Sequence, residues 1–235
     1  MASRNVVKHA ARSGERIRGV HLTFAAPTAI EVLAQEVDFI YLDGEHGCFT
    51  HHDLEAACIA AERWGLTVIA RVPDGSAATI TGFLDRGVRG IVVPHIETIA
   101  DAHAAVQAAY FAPLGDRSFS GSRPAFLSMK DRPAFMRECN ADTSLCLMIE
   151  SRSGLEAAHE LAAVEGVDYL SFGPMDLAQS LGHPGEPAHP DCKRAVADAT
   201  ARINAVGKRV REDFMNYAWI NEIMLTGVRQ LLGAR

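Results

Sequence analysis

Short apolar runs alternate along the chain with longer amphipathic stretches. Residues 19–24 read as a first strand, followed by a helical segment over 28–35 with apolar positions at Ile30, Val32 and Leu33. Residues 37–42 are almost wholly apolar, as a strand covered on both faces of a parallel sheet should be. A helix over 53–64 stops at Gly65 and a strand follows at 67–72. The next helix, 76–86, stops at Gly87, as helices commonly do at glycine. A strand at 90–94 and an Ala-rich helix over 98–110 complete this part. The rhythm then breaks. Pro113, Gly115, Gly121 and Pro124 predict a long loop over 111–132, and long loops in compact domains are usually functional or mobile. Strands at 145–149 and 167–172 flank a helix at 154–163, and a helix over 189–206 ends at Gly207. The tail is less regular. Charges at Arg209, Arg211, Glu212 and Asp213 make 209–214 a poor seventh strand, 219–226 reads as a short helix, and 228–232 as an eighth strand.

Eight strands with helices between them, and no linker, predict an α/β protein: a (β/α)8 TIM barrel, one domain over residues 1–235. In this reading the chain stops three residues after the eighth strand, so the usual C-terminal helix is missing. A doubly wound sheet is the alternative, but no Gly-rich dinucleotide loop follows the first strand.

Composition narrows the partners. The chain has 235 residues, 48% of them hydrophobic, enough for a substantial core. Net charge is −6, and no basic stripe is present, which argues against nucleic acid. No apolar run approaches the length of a membrane span, and residues 1–18 lack the apolar stretch of a signal peptide, so the expected location is the cytoplasm. Five cysteines without C-x-x-C spacing predict free thiols rather than a disulfide framework or a zinc knuckle.

In a barrel, function sits at the C-terminal strand ends. There the chain carries Asp43-Gly44-Glu45-His46-Gly47, Arg71-Val72-Pro73, Pro94-His95, Glu150 and Gly173-Pro174-Met175-Asp176. Glu150 and Asp176 end consecutive strands of one parallel unit, so both carboxylates reach the same edge of the sheet. Such a pair suits a hard divalent cation, Mg²⁺, Mn²⁺ or Co²⁺; the alternative is a helix cap or surface acid for each. His46 is the candidate general base, because an imidazole takes a proton near neutral pH. His95 competes for that role from its own strand end. Asp85, at a helix end, is placed to orient His46 or else is a solvated acid. Arg71 is the candidate clamp for a substrate carboxylate, with a salt bridge to Asp43 or Glu45 as its alternative. Gly173, Pro174 and Met175 form a turn whose backbone N–H groups can bind a carboxylate. Together these parts predict Lewis-acid stabilisation of an enolate from a 2-oxo acid, and carbon–carbon bond making or breaking beside its carbonyl. No lysine stands at a strand end, which weighs against a Schiff base.

These motifs, with Ala70-Arg71-Val72-Pro73, Leu84-Asp85-Arg86-Gly87, Pro113-Leu114-Gly115-Asp116-Arg117 and Ser180-Leu181-Gly182, resemble the HpcH/HpaI aldolase family in order and spacing over roughly residues 15–207. The resemblance implies a metal-dependent (class II) pyruvate aldolase that cleaves 4-hydroxy-2-oxo acids to pyruvate and an aldehyde. It implies Glu150 and Asp176 as metal ligands, His46 with Asp85 on the proton, and Arg71 on the pyruvyl unit. It also implies a homo-oligomer, trimer or hexamer, with the last helix swapped and the aldehyde pocket shared between neighbours. Two features depart from the family. Met148 stands where it usually has Gln, and the tail from Lys208 does not match its glycine- and alanine-rich seventh strand. Phe214, Tyr217 and Trp219 in that tail either line a different aldehyde pocket or pack in the core. Two competing readings are an acyl-CoA lyase similar to the citrate lyase β-subunit, with Arg117, Arg123, Lys130 and Arg132 near the CoA phosphates, and a non-catalytic barrel subunit.

Overall fold

The inner and outer rows of each strand have separate cores to fill, and that alternation builds the fold. The computed structural model describes residues 5–119, 121–128 and 131–233. Helix α1 (Val6–Ser13) precedes β1 (Ile17–Leu22), α2 (Pro27–Leu33), β2 (Phe39–Asp43), α3 (His51–Glu62), β3 (Thr67–Arg71), α4 (Ala77–Asp85), β4 (Gly90–Val93) and α5 (Ile99–Ala109). Next come α6 (Arg123–Ser128), α7 (Arg132–Asp142), β5 (Ser144–Ile149), α8 (Arg152–Ala163), β6 (Tyr169–Phe172), α9 (Pro174–Ser180) and α10 (Pro190–Ala205). The chain closes with β7 (Arg209–Val210), a 3-10 turn (Arg211–Asp213), β8 (Met215–Trp219) and α11 (Ile220–Leu232).

All strand pairs are parallel, in the order β7-β6-β5-β4-β3-β2-β1-β8. On β2, Ile40 and Leu42 face the helices, in one large cluster with Ile80, Leu84 and Val68. Phe39 and Tyr41 face inward, packed with Ile69, Val92, Cys146, Met148, Tyr169 and Met215 from five other strands. With Ile17 of β1, inward side chains from seven strands meet in one cluster, so the sheet curls on itself. Helix α1 contributes Val7, Ala10 and Ala11 to this inner core. Its apolar positions are at helical spacing, and Asn5 caps it by accepting the Lys8 N–H at 3.0 Å. No helix among the described residues is long and apolar enough to cross a membrane.

Three expectations are corrected. The sheet is curled and TIM-barrel-like but not a closed barrel: β7 and β8 end the strand order and do not pair with each other. Only four residues join Val210 to Met215, whereas a crossover between parallel strands needs a dozen or more. β7 therefore stops after two residues, beside Tyr169 and Leu170 at the start of β6. Second, the final helix is present. Residues 215–219 are the eighth strand and α11 follows it, so 228–232 is the end of a helix; the helix that the fold lacks lies between β7 and β8. Third, the predicted long loop holds α6 and the start of α7.

Candidate active site

The inner rows of β2, β3 and β5 turn from apolar to charged at their C-terminal ends. Phe39 and Tyr41 lead to Asp43, Ile69 leads to Arg71, and Cys146 and Met148 lead to Glu150. The register sets Asp43 beside Arg71. Arg71 donates from Nε to Asp43 Oδ1 at 2.9 Å and from Nη2 to Asp43 Oδ2 at 2.6 Å. Its Nη1 lies 2.9 Å from Glu45 Oε2. Both partners that the sequence offered as salt-bridge alternatives are thus engaged, and the Arg71 fork is committed to Asp43. Burial alone would raise the Asp43 pKa. The adjacent His21 ring and the hydrogen bonds from Arg71 outweigh it and hold the carboxyl far below the usual range.

Glu45 turns inward from the loop after β2. Its Oε2 is buried without an aligned hydrogen bond, and its Oε1 is 3.1 Å from His95 Nε2. His95 has a positive φ of 55°, uncommon for a residue with a side chain. That backbone turn aims its N–H at Glu150 Oε2, at 3.0 Å, while Nδ1 stands 3.3 Å from the same oxygen. The Glu150 side chain is only 3% exposed. Burial pushes its pKa up, the His95 N–H and ring oppose the rise, and the Glu45 charge adds to it.

Gly173 belongs to the same construction. An alanine Cβ there would stand 2.7 Å from both Cγ and Cδ of Glu150 and closer still to Oε1. The missing side chain is the space in which the Glu150 carboxylate lies. Asp176 is exposed in the first turn of α9, with Pro174 and Met175 exposed beside it. In that turn Pro174 has no N–H, and those of Met175 and Asp176 have no partner within the helix. His46 is exposed. Its backbone N–H donates to Asp43 Oδ1 at 3.2 Å, and its imidazole has no hydrogen-bond or ion-pair partner among the described residues. Within the chain the Asp85 carboxylate accepts from Arg117 Nη2 at 2.8 Å.

The tail aromatics separate into two roles. Phe214 is fully buried edge-on to Tyr169, and is core. Tyr217 meets His21 and Tyr41 edge-on inside the curl, and Trp219 stacks on His21 at 3.9 Å with 38% of its surface exposed. His21 is therefore sandwiched between Trp219 and Tyr41, with Nε2 3.5 Å from Asp43 Oδ2. Burial pushes its pKa down, against the pull of Asp43. Sequence reading missed this histidine, and its one signal was its place on the inner row of β1. Of the basic residues considered for CoA, Arg117 pairs with Asp85 and Arg123 with Glu62, while Lys130 lies outside the described residues.

The donors suit a hard cation. Three carboxylates with little exposure, Asp43, Glu45 and Glu150, lie near one guanidinium, and an excess of buried negative charge is stabilised by a bound positive ion. The family model HpcH/HpaI aldolase/citrate lyase matches residues 19–231. A hydroxypyruvate/pyruvate aldolase of Deinococcus radiodurans is 36% identical over 205 residues, 87% of this chain and 74% of that protein. A 4-hydroxy-2-oxovalerate aldolase of Novosphingobium aromaticivorans is 34% identical over 206 residues, covering 87% and 78%. The crystal structure of an HpcH/HpaI aldolase/citrate lyase family protein from Burkholderia cenocepacia superimposes with a TM-score of 0.88 at 30% identity, covering 97% of this chain and 98% of that one.

Proposed function

The chain belongs to the HpcH/HpaI aldolase/citrate lyase family and is a lyase of that class, and from that membership we infer a divalent-metal-dependent aldolase. Its reaction is the reversible cleavage of a 4-hydroxy-2-oxo acid to pyruvate, or a related 2-oxo acid, and an aldehyde. The observation that carries the reading is the convergence of Glu150, Glu45, His95 and Arg71, with Gly173 left open for the Glu150 carboxylate. The related hydroxypyruvate/pyruvate and 4-hydroxy-2-oxovalerate aldolases support the substrate class.

Glu150 and Asp176 would hold the ion, and Mg²⁺, Mn²⁺ and Co²⁺ all accept such oxygen ligands. A bound divalent ion supplies Lewis-acid polarisation of the 2-oxo acid carbonyl. Arg71 keeps positive charge at the mouth, and its remaining N–H groups face a substrate carboxylate, together with the N–H groups of Met175 and Asp176. His46, exposed and free of side-chain partners, moves the proton at the substrate hydroxyl. His95 positions Glu45 and Glu150 by bridging them. We also infer one domain over residues 1–235 and a homo-oligomer, trimer or hexamer. Exposed Met224, Leu225, Val228, Leu231 and Leu232 on α11 support association, which light scattering measures.

Pyruvate release from 4-hydroxy-2-oxo acids is the test, first in EDTA and then with each metal restored. Activity that EDTA abolishes and metal restores is expected; activity indifferent to EDTA overturns the metal assignment. His46→Ala should retain Mn²⁺ affinity and lose about 10²–10⁴-fold in rate. A rate near that of the parent would remove His46 from proton transfer and leave His95 in its place.

A further inference from the structure

Outside the strand-end site, the segment between α9 and α10 brings a second set of ligating side chains together. His183, Glu186 and His189 are spaced three residues apart. Two successive backbone bonds, Glu186 N–H to His183 O at 3.0 Å and His189 N–H to Glu186 O at 2.9 Å, form consecutive i to i+3 turns. This three-residue period places all three side chains on one side of the segment. Gly182 and Gly185 take positive φ there, and Pro184, Pro187 and Pro190 restrict the rest. One ligand atom from each of the three residues lies within 4.8 Å of the other two.

The two imidazoles are stacked, centroids 3.6 Å apart and 16° from parallel. Asp191 Oδ2 lies 3.3 Å from His183 Nε2 and 3.7 Å from His189 Nδ1. Asp191 also pairs with Arg194, and its backbone N–H donates to His189 Nδ1 at 3.2 Å, which leaves Nε2 as the free nitrogen of His189. A single divalent ion can engage all three side chains, since neutral imidazoles and carboxylates are metal donors. Tetrahedral ligands on bonds of about 2.0–2.1 Å stand about 3.3 Å apart, and an imidazole binds in its own ring plane, so the two stacked rings turn out of parallel to share one ion. Two nitrogen donors select a borderline ion such as Zn²⁺ over Mg²⁺ or Ca²⁺.

We propose that His183, Glu186 and His189, with Asp191 beside them, bind one Zn²⁺ and fasten the α9–α10 connection, separately from the strand-end site. This proposal does not depend on the aldolase reading. The test is equilibrium dialysis against a zinc salt with the Glu150→Gln/Asp176→Asn chain, which removes the ligands assigned at the mouth. One Zn²⁺ per chain is expected there, and none after His183→Ala/His189→Ala is added. Asp191→Asn should weaken binding by about 10–100-fold, the usual effect of changing a ligand's supporting partner. Zinc should also raise the melting temperature of the first chain but not of the histidine variant, whose melting in EDTA is unchanged. Should the double histidine variant fail to fold, His183→Asn alone is expected to weaken binding by at least about tenfold. No zinc bound by the mouth variant overturns the proposal, as does binding that survives loss of the histidines.

Discussion

Gly173→Ala is the sharpest perturbation of the proposed site, because its backbone accepts alanine and only the space does not. Gly173 has φ −91° and ψ 100°, an ordinary extended conformation, so backbone strain contributes nothing. An ordinary carbon contact begins near 3.4 Å, and the new Cβ would stand 2.7 Å from Glu150 Cγ and Cδ. Those atoms must therefore retreat by at least the difference, 0.7 Å (3.4 Å less 2.7 Å), and Oε1 by more. The carboxylate cannot retreat freely, because the His95 N–H holds Oε2 at 3.0 Å. Losing that charged hydrogen bond costs about 1.5–3 kcal/mol, and overpacking about 1–3 kcal/mol. A displacement near 1 Å at the reacting centre costs about 10²-fold in rate. Urea unfolding, Mn²⁺ titration calorimetry and pyruvate-release kinetics should be run on one preparation. The expected result is a folded protein, modestly destabilised, with weakened Mn²⁺ binding and about a hundredfold slower turnover. Unchanged Mn²⁺ affinity and turnover would refute the argument that Glu150 is held in the space beside Gly173.

Asp43→Asn should destabilise by about 1.5–3 kcal/mol in urea titration, because it weakens the two charged hydrogen bonds from Arg71 and leaves Glu45 as the remaining carboxylate of that guanidinium. In the parent chain the folded Asp43 pKa is depressed, so its stabilisation is present above the ordinary value of 3.8 and is lost as pH falls through and below it. Asp43→Asn should therefore flatten that acid slope; an identical slope in both proteins would contradict the pairing. Trp219→Ala removes the ring stacked on His21 and should cost about 0.5–1.5 kcal/mol beyond its buried area. Its exposed edge bounds the mouth, so KM for the aldehyde should change more than KM for pyruvate in the condensation direction. Cys48 is exposed and should react first with a thiol reagent in the native protein, while Cys146, with its pKa pushed up to about 12 by burial, should stay unlabelled until unfolding. Fast labelling of Cys146 would mean that the inner core opens.

Much of the fold was legible because its strands are covered on two sides. Val37 to Leu42 and Leu145 to Ile149 are so apolar that only burial on both faces suits them, and the structure buries them there, apart from the half-buried Val37 and the exposed Asp38. Helix α1 was not legible: its three core residues, Val7, Ala10 and Ala11, are outnumbered by polar neighbours. The tail was misread for a related reason. The apolar residues of α11 remain largely exposed on this chain, and a run ending Val228 to Leu232 resembles a strand when no packing partner is considered. At the site, strand ends located Arg71 and Glu150, but alternation alone does not say how two charges orient. Hence the Arg71 fork onto Asp43, and the pairing of Asp85 with Arg117, emerge only from three-dimensional packing.

The shortened seventh strand shows why the site can survive a broken wall. Its groups come from β2 to β6, whereas the seam lies between β7 and β8 at the ends of the strand order. β7 covers only the first half of β6, so Ser171 and Phe172 have no strand partner on that side. Below the mouth the space is plugged. Phe214 packs against Tyr169, and the Arg211 guanidinium lies 5.4 Å from the Tyr217 ring, paired with Glu212. At the mouth, Trp219 rather than a seventh strand end bounds the opening beside His21. A wall altered on that side leaves the Asp43–Arg71 fork and the Glu150–Gly173 contact in place, because each is fixed by its own neighbouring strands. In the proposed site these two contacts are thus mechanically separable from the wall that the tail forms, so a change in the tail can leave them intact.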